Sequence, residues 1–359
     1  MELVFSPTLK NGLEAASLVK ELILILSRLG TCTCELEEGT FRVDANISVN
    51  WVGEPLGVKT EVKNINSVRF ISRAIDYEIN RQIGVLEDGG FVANETRAYD
   101  YDEKKTVYMR DKGTFQDYRF MPEPNLPPIK ICDDSEFVCT TEDESSVINI
   151  NELKKKLPVL PDAERCNLRK KYNLPLDAID KLVSNEGAQE MFEICASDYS
   201  ESDLMTICDF LFSNVQHQFN LRNLSFKDCP VSGSQIAEIL ELLISRTISE
   251  GTANDILDML FNGDQRPARE IVNEYNWFLI RDPEELKSLC LLVMATHKKV
   301  AQKYRKSKKK RHMAVLIAAL NESVNNRASY KEVAAMFHNL ICKEEKEMDV
   351  HKIQEDNKE

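Results

Sequence analysis

Long apolar runs are missing from this sequence. None approaches the roughly 18 residues of a membrane-spanning helix, and the longest, Met313 to Leu320, follows a basic run and is sized for a core helix. No membrane partner is expected. A surplus of positive charge is missing as well: 46 Lys and Arg face 59 Asp and Glu, leaving a net charge of −13. That balance excludes a chain that coats nucleic acid through its global field, while a local basic patch can still grip phosphates. Zinc-type cysteine pairs are lacking. The ten cysteines are scattered, and the one close pair, Cys32 and Cys34, has no second pair at ligand spacing. This reads as a reduced intracellular chain without structural zinc. The opening residues, with Glu2, Lys10 and Glu14, have neither the apolar core of a signal peptide nor the Arg-rich, acid-poor pattern of a transit peptide. Walker A, GxGxxG, HExxH and GxSxG strings are all absent, which removes the common nucleotide and hydrolase signatures.

What is present is a chain of 359 residues, long enough for two or three domains with cores of their own. Leu13, Leu18, Leu22, Leu26 and Leu29 recur at roughly helical spacing and Gly30 follows as a stop, which predicts a helix. The string FRVDANISV alternates strictly, with Phe41, Val43, Ala45, Ile47 and Val49 opposite Arg42, Asp44, Asn46 and Ser48, the period of a half-buried strand. After a turn at Gly53, Glu54 and Pro55, Val58, Thr60 and Val62 alternate with Lys59, Glu61 and Lys63; a β-hairpin is predicted. Asn66 or Ser67 can cap a helix whose apolar stripe is Phe70, Ile71, Ala74, Ile75, Ile79, Ile83 and Leu86, ended by Gly89 and Gly90. Short β segments around Phe91 to Tyr99 and Thr106 to Met109 precede a proline-rich extended path and an acidic crossing from Asp133 to Ser146. From Asn151 the pattern is helical, without a fixed-period repeat, and the polar end from Lys343 to Glu359 reads as disordered.

If the hairpin turns near Gly53, the polar faces of its strands lie side by side. Arg42, Asp44, Asn46 and Ser48 then meet Lys59, Glu61 and Lys63, with Glu37 and Glu38 at the entrance. Carboxylates interleaved with cations suit a magnesium–nucleotide site, because oxygen ligands hold the metal while Lys and Arg neutralise phosphoryl oxygens. The same pattern also describes a solvated sheet face with weak cross-strand pairs. The residue pattern alone leaves both open.

The strings EEGTFRVDANISV, TEVKNINSVRFISRAIDYEINRQI, ETRAYD, MRDK and DYRFMPEPNLPP follow one another in order between Glu37 and Pro128. They resemble the cradle-domain motifs of the GatB-type component of glutamyl-tRNA(Gln)/aspartyl-tRNA(Asn) amidotransferase, its B subunit. LPVLPDAERCNLRKKYNLPLDAIDKLVSN resembles that family's helical domain, and IVNEYNWFLIRDPEEL with YRKSKKKR its tail domain. The resemblance implies an α+β fold: a partial antiparallel-sheet cradle domain over 1–150, an all-helical domain over 151–248, a helical tRNA-binding tail domain over 249–342 and a disordered tail over 343–359. It implies ATP and Mg2+ as cofactors, an amidase A subunit and a small C subunit as partners, and Glu-tRNA(Gln) as substrate. The expected chemistry is phosphorylation of the glutamate γ-carboxylate followed by displacement of phosphate by ammonia from glutamine. A mitochondrial location is implied, with a bacterial-type cytoplasm or plastid as the alternative.

Carried over by position, Glu38, Asp44 and Glu61 are the expected metal ligands, and Arg42, Lys63 and Asn64 the catalytic contacts to phosphate or activated carboxylate. Lys59, Lys63 and Arg42 are the expected nucleotide-binding cations. Asn46, Ser48, Asn66 and Ser67 either shape the site or serve the strand edge and helix cap. Arg97, Arg110, Lys112, Asp117, Tyr118 and Arg119 either surround the tRNA acceptor end or buttress the sheet. Arg305, Lys306, Lys308, Lys309, Lys310 and Arg311 form the densest basic run and are expected to contact tRNA phosphates; a solvated helix face is the alternative. The resemblance starts partway through the cradle, so the family's earlier zinc cysteines and metal-site His and acids are not among these residues. Asn50, Gly113, Ser307 and the stretch AALNESVNNRAS depart from the family pattern. A non-catalytic tRNA-binding or assembly module is therefore the alternative function.

Overall fold

The computed structural model describes residues 2–111, 125, 129–133, 147–196 and 199–341. Lys112, Gly113, Asp117, Tyr118 and Arg119, most of the acidic crossing and the polar end after Lys343 lie outside them. The chain divides into two compact units, Met1–Glu164 and Arg165–Glu359.

The first unit starts with α1 (Gly12–Arg28), capped by the side chain of Asn11, which accepts from the Glu14 N–H. Its buried face is Gly12, Ala15, Ala16, Val19 and Leu26, while Leu13 is 71% exposed. The leucine spacing predicted the helix but not its inner side. Small residues face inward because α1 lies close against α2 (Val68–Glu87). A side chain on Gly12 would stand 2.2 Å from the Ser72 carbonyl oxygen, and the Gly12 N–H donates to Asp76 Oδ1 at 2.8 Å.

Four strands follow in the order β1 (Ala45–Ile47), β2 (Thr60–Lys63), β3 (Glu95–Asp100) and β4 (Lys105–Asp111). The expected α+β class stands, but the sheet is mixed. β1–β2 and β3–β4 are antiparallel, whereas β2 and β3 run parallel, because α2 is the crossover that joins them. The predicted nine-residue strand pairs over three residues only, Ala45, Asn46 and Ile47. The hairpin end is set by the Glu54 N–H to Trp51 carbonyl bond and by Asn50 Nδ2, which donates to the carbonyls of Trp51 and Glu54. Ser67 stands at the N-cap of α2 without a side-chain cap bond. Val19, Ile47, Val62, Ile65, Ile71, Ala74, Ile75 and Tyr99 form the core between helices and sheet. A second, two-stranded parallel sheet joins β5 (Lys130–Cys132) and β6 (Val147–Asn149), and α3 (Ile150–Lys156) continues from it.

The second unit is helical. Its first core cluster runs from Leu168 to Val272 and its second from Ile280 to Ile341. Phe192, Phe219, Ile236, Leu240 and Ile256 are fully buried in the first, and Ser232 and Gln235 close a reciprocal capping box at one of its helices, Gly233–Ile244. The second contains α4 (Pro283–Thr296), α5 (Lys298–Ser307), α6 (Lys310–Ser323) and α7 over 330–341. Within this unit Asn326, at φ +59°, joins the clusters: its side-chain amide donates to Asp255 Oδ2 at 2.8 Å and its carbonyl accepts from Ser249 Oγ and Thr252 Oγ1.

Candidate functional site

Strand register decides which polar residues meet. Asn46 stands opposite Glu61, Glu61 opposite Thr96, and Thr96 opposite Arg110, so one row crosses all four strands. Thr96, almost fully buried, donates from Oγ1 to Glu61 Oε2 at 3.3 Å. One step along, Lys63 Nζ lies 2.8 Å from Asp44 Oδ2 and 3.8 Å from Glu61 Oε2. The structure thus brings together Asp44, Glu61 and Lys63 as the hairpin reading expects. The Asp44 hydrogen bond raises the Lys63 ammonium above its ordinary value; burial opposes it, the Asp44 and Glu61 charges add to it, and the Arg110 charge subtracts. Lys63 therefore stays a cation throughout the neutral range.

Other expected residues border this group. Arg42 is exposed and its guanidinium lies over Gly39, at φ +72°, in the turn that carries Glu38. Glu38 pairs with Glu35: its hydrogen bond and its charge raise the Glu35 carboxyl above the ordinary carboxylate value. Lys59 is exposed just before β2. Asn64 takes a left-handed φ of +59°, held because the Tyr101 hydroxyl donates to its carbonyl and accepts from the Asn66 N–H at 3.0 Å. Tyr101 is fixed in turn by the rings of Phe70 and Tyr99, with centroids 4.7 and 5.5 Å away.

The magnesium ion that the resemblance implies finds no complete ligand set among the described residues. No three His, Cys, Asp or Glu side chains among them converge to hold a metal, and an ammonium already fills the gap between Asp44 and Glu61. Mg2+ is commonly held by one or two protein carboxylates and draws its remaining oxygens from water and substrate phosphates, so Asp44 and Glu61 are chemically suited to that share.

Behind the sheet lies a polar cluster that the sequence reading missed. Glu78 of α2 is fully buried and accepts from Arg81 Nε at 2.9 Å and Nη2 at 2.6 Å, from Gln82 Nε2 at 2.9 Å and from Thr106 Oγ1 at 2.8 Å. Arg97 joins it at 3.6 Å and pairs with Glu95 at 2.5 Å. Gln82 also donates to the Ile47 carbonyl at 3.1 Å, tying β1 to α2. Arg97 therefore buttresses the sheet from its helix-facing side. Arg110 occupies the opposite face. The signal was available: Glu78 and Gln82 continue the Ile71, Ala74, Ile75 stripe at spacings of three and four, so an interior carboxylate there requires partners.

In the second unit, α5 and α6 meet at a corner where Lys306, Lys308, Lys309, Lys310 and Arg311 are exposed and Arg305 is half-buried. Lys308 makes the turn at φ +50°, and Ser307 Oγ lies 3.1 Å from His312 Nδ1. Burial, then the charges of Arg311, Lys303 and Lys309, lower the His312 imidazole. Cations here stand at the start of α6, where the helix dipole disfavours them, so an incoming anion would relieve both.

Comparison with known proteins adds independent findings. Residues 1–136 match a family model described as the GatB/GatE catalytic domain, and residues 190–341 one described as the GatB domain. The mitochondrial B subunit of glutamyl-tRNA(Gln) amidotransferase from Drosophila melanogaster is 42% identical over 343 residues, 95% of this chain and 65% of the relative. The Homo sapiens protein of the same name is 39% identical over 328 residues, 91% and 58%. The B subunit of aspartyl/glutamyl-tRNA(Asn/Gln) amidotransferase from Rhodopseudomonas palustris is 35% identical over 270 residues, 74% and 52%. This chain spans less than two thirds of each relative's own length.

Proposed function

The chain belongs to the family of tRNA-dependent amidotransferase GatB-type subunits, and from that premise we propose that it forms Gln-tRNA(Gln) from Glu-tRNA(Gln) as one subunit of a carbon–nitrogen ligase. ATP is the phosphoryl donor, glutamine the source of ammonia, an amidase A subunit and a small C subunit the partners, and the mitochondrion the compartment, as the names of the animal relatives suggest. The observation that carries this reading is the Asp44–Lys63–Glu61 group on the polar face of a sheet lying within the matched catalytic domain.

The first step joins a γ-carboxylate oxygen of the glutamyl group to the γ-phosphorus of ATP, and ADP departs with the bridging electron pair. In the second, ammonia attacks the acyl-phosphate carbon, phosphate leaves, and an amide remains. Lys63, Arg42 and Lys59 supply the positive charge that a transferring phosphoryl group requires. Asp44 and Glu61 hold the Lys63 ammonium in place, and Asn64 offers its amide at the end of β2. Glu38, Asp44 and Glu61 are assigned as this chain's share of a cation site that needs further oxygen donors; no step here runs through the ion. The exposed basic corner between α5 and α6 favours one second reading, a tRNA-binding or assembly module without catalysis.

Mixing the chain with its amidase and small partner subunits, ATP, glutamine and Glu-tRNA(Gln) decides between them. Formation of Gln-tRNA(Gln) supports the enzyme; tRNA binding without ATP turnover sinks it. In the active mixture Lys63→Ala is expected to lower kcat by about 100-fold, the scale of removing one preorganised charge-stabilising donor. Arg305, Lys306, Lys308, Lys309, Lys310 and Arg311 are assigned to tRNA phosphates. Replacing Lys308, Lys309 and Lys310 with Ala is expected to flatten the log Kd against log salt slope by roughly 2, because each lost phosphate contact removes most of one released counterion. An unchanged slope removes the patch from the interface.

A further inference from the structure

Cys32 and Cys34 lie in the segment between α1 and β1, and no step of the amidotransferase reaction uses them. Their Sγ atoms are 3.2 Å apart, whereas about 2 Å separates bonded sulfurs. A small adjustment of one side chain therefore closes the bond. Cys34 takes a left-handed φ of +60°, the backbone bend that turns its side chain back toward that of Cys32. The surrounding loop is closed on itself: Thr33 Oγ1 meets Thr40 Oγ1 at 2.9 Å, the Glu35 N–H donates to Thr40 Oγ1 at 2.9 Å, and the Thr40 N–H donates to the Glu35 carbonyl at 3.2 Å. The pair is held together before any oxidant arrives. Cys34 is buried and Cys32 is half-buried, so an incoming reagent reaches Cys32 first.

We propose that Cys32 and Cys34 form a reversible dithiol–disulfide site that exchanges with small disulfides such as oxidised glutathione, a redox role independent of the amidotransferase reading. The Cys32 thiolate attacks one sulfur of glutathione disulfide, forming a mixed disulfide and releasing one glutathione thiolate. The Cys34 thiolate then attacks the Cys32 sulfur and expels the second glutathione. Two protons and two electrons leave the protein, and one disulfide becomes two thiols. Burial raises the Cys34 thiol, so the second step quickens as pH rises. The product is a small ring over Cys32–Cys34, immediately before the turn that carries Glu38.

The test uses the full reduced chain equilibrated in graded mixtures of oxidised and reduced glutathione, quenched with N-ethylmaleimide and digested with trypsin. The peptide Leu29–Arg42 contains these two cysteines and no other. It is expected two hydrogen masses lighter and unalkylated at roughly tenfold less oxidant than glutathionylation of the exposed Cys166 requires. Cys34→Ser is expected to leave a lasting mixed disulfide on Cys32. A parent peptide still doubly alkylated, or still carrying glutathione, when Cys166 is fully modified overturns the proposal.

Discussion

Gly12→Val destabilises the first unit by about 4 kcal/mol, the sum of overpacking and of a lost hydrogen bond to a charged group. The contact responsible is backbone on backbone. A Cβ at position 12 meets the Ser72 carbonyl oxygen at 2.2 Å, its Cα at 2.7 Å and its carbonyl carbon at 2.8 Å, and no rotamer change moves those atoms. The helices must separate, and separation also breaks the 2.8 Å bond from the Gly12 N–H to Asp76, a carboxylate placed where the N-terminal dipole of α1 welcomes it. Hydrogen exchange followed by mass spectrometry on peptides from α1 and α2 reads the effect, with exchange accelerated by roughly 1,000-fold if it proceeds through opening of this unit. Gly84→Ala is the control. It lies in α2 with nothing within 4 Å of its added carbon, and should stabilise that helix by up to about 1 kcal/mol through propensity. Equal exchange in the parent and Gly12→Val would show that the two helices do not depend on this approach.

Glu78→Ala costs the first unit about 3 to 5 kcal/mol, the usual penalty for removing one partner of a buried ion pair. Arg81 and Arg97 would be left facing an emptied, low-dielectric space. Burial alone would push the Glu78 carboxyl up, but hydrogen bonds from Arg81, Gln82 and Thr106 and the Arg81 charge outweigh it, holding Glu78 below its ordinary 4.5. The sign of the linkage follows. A carboxylate depressed in the folded state contributes stability that is fully present above its unfolded value and is lost as pH falls through the folded one. The first unit is therefore expected to weaken progressively from about pH 4.5 downward. Glu78→Gln, similar in size but unable to ionise, should flatten that acid limb in urea titrations at stepped pH. A limb as steep in Glu78→Gln as in the parent would assign the acid sensitivity to other carboxylates.

The two buried features differ in how far the chain announces them. The polar side of the hairpin was legible because strand period is two: Asp44 and Lys63, on opposite strands, had to face the same way once a turn near Gly53 was recognised, and they meet at 2.8 Å. The family motifs were legible because they occur as long strings in order, and the matched domains agree with them. The contact between Glu38 and Glu35 across their turn was not legible in spacing. Sequence alone leaves Arg97 between an acceptor-end contact and a buttress. Its partners Glu78 and Thr106 lie on other elements, and only their convergence selects the buttress.

Local periodicity and end signals, by themselves, determined where α1 and α2 run, that a hairpin precedes α2, and that one hairpin face carries alternating charge. Those properties depend on neighbours within a few residues. Tertiary structure alone decided that the sheet is mixed, that α1 turns its alanines rather than Leu13 inward, and that Glu78 is a buried anchor. Each of these depends on a residue far along the chain: Gly12 on Asp76, Gln82 on Ile47, Glu61 on Thr96. Such contacts follow from the volume and polarity of what packs opposite, and no repeat within one segment encodes them.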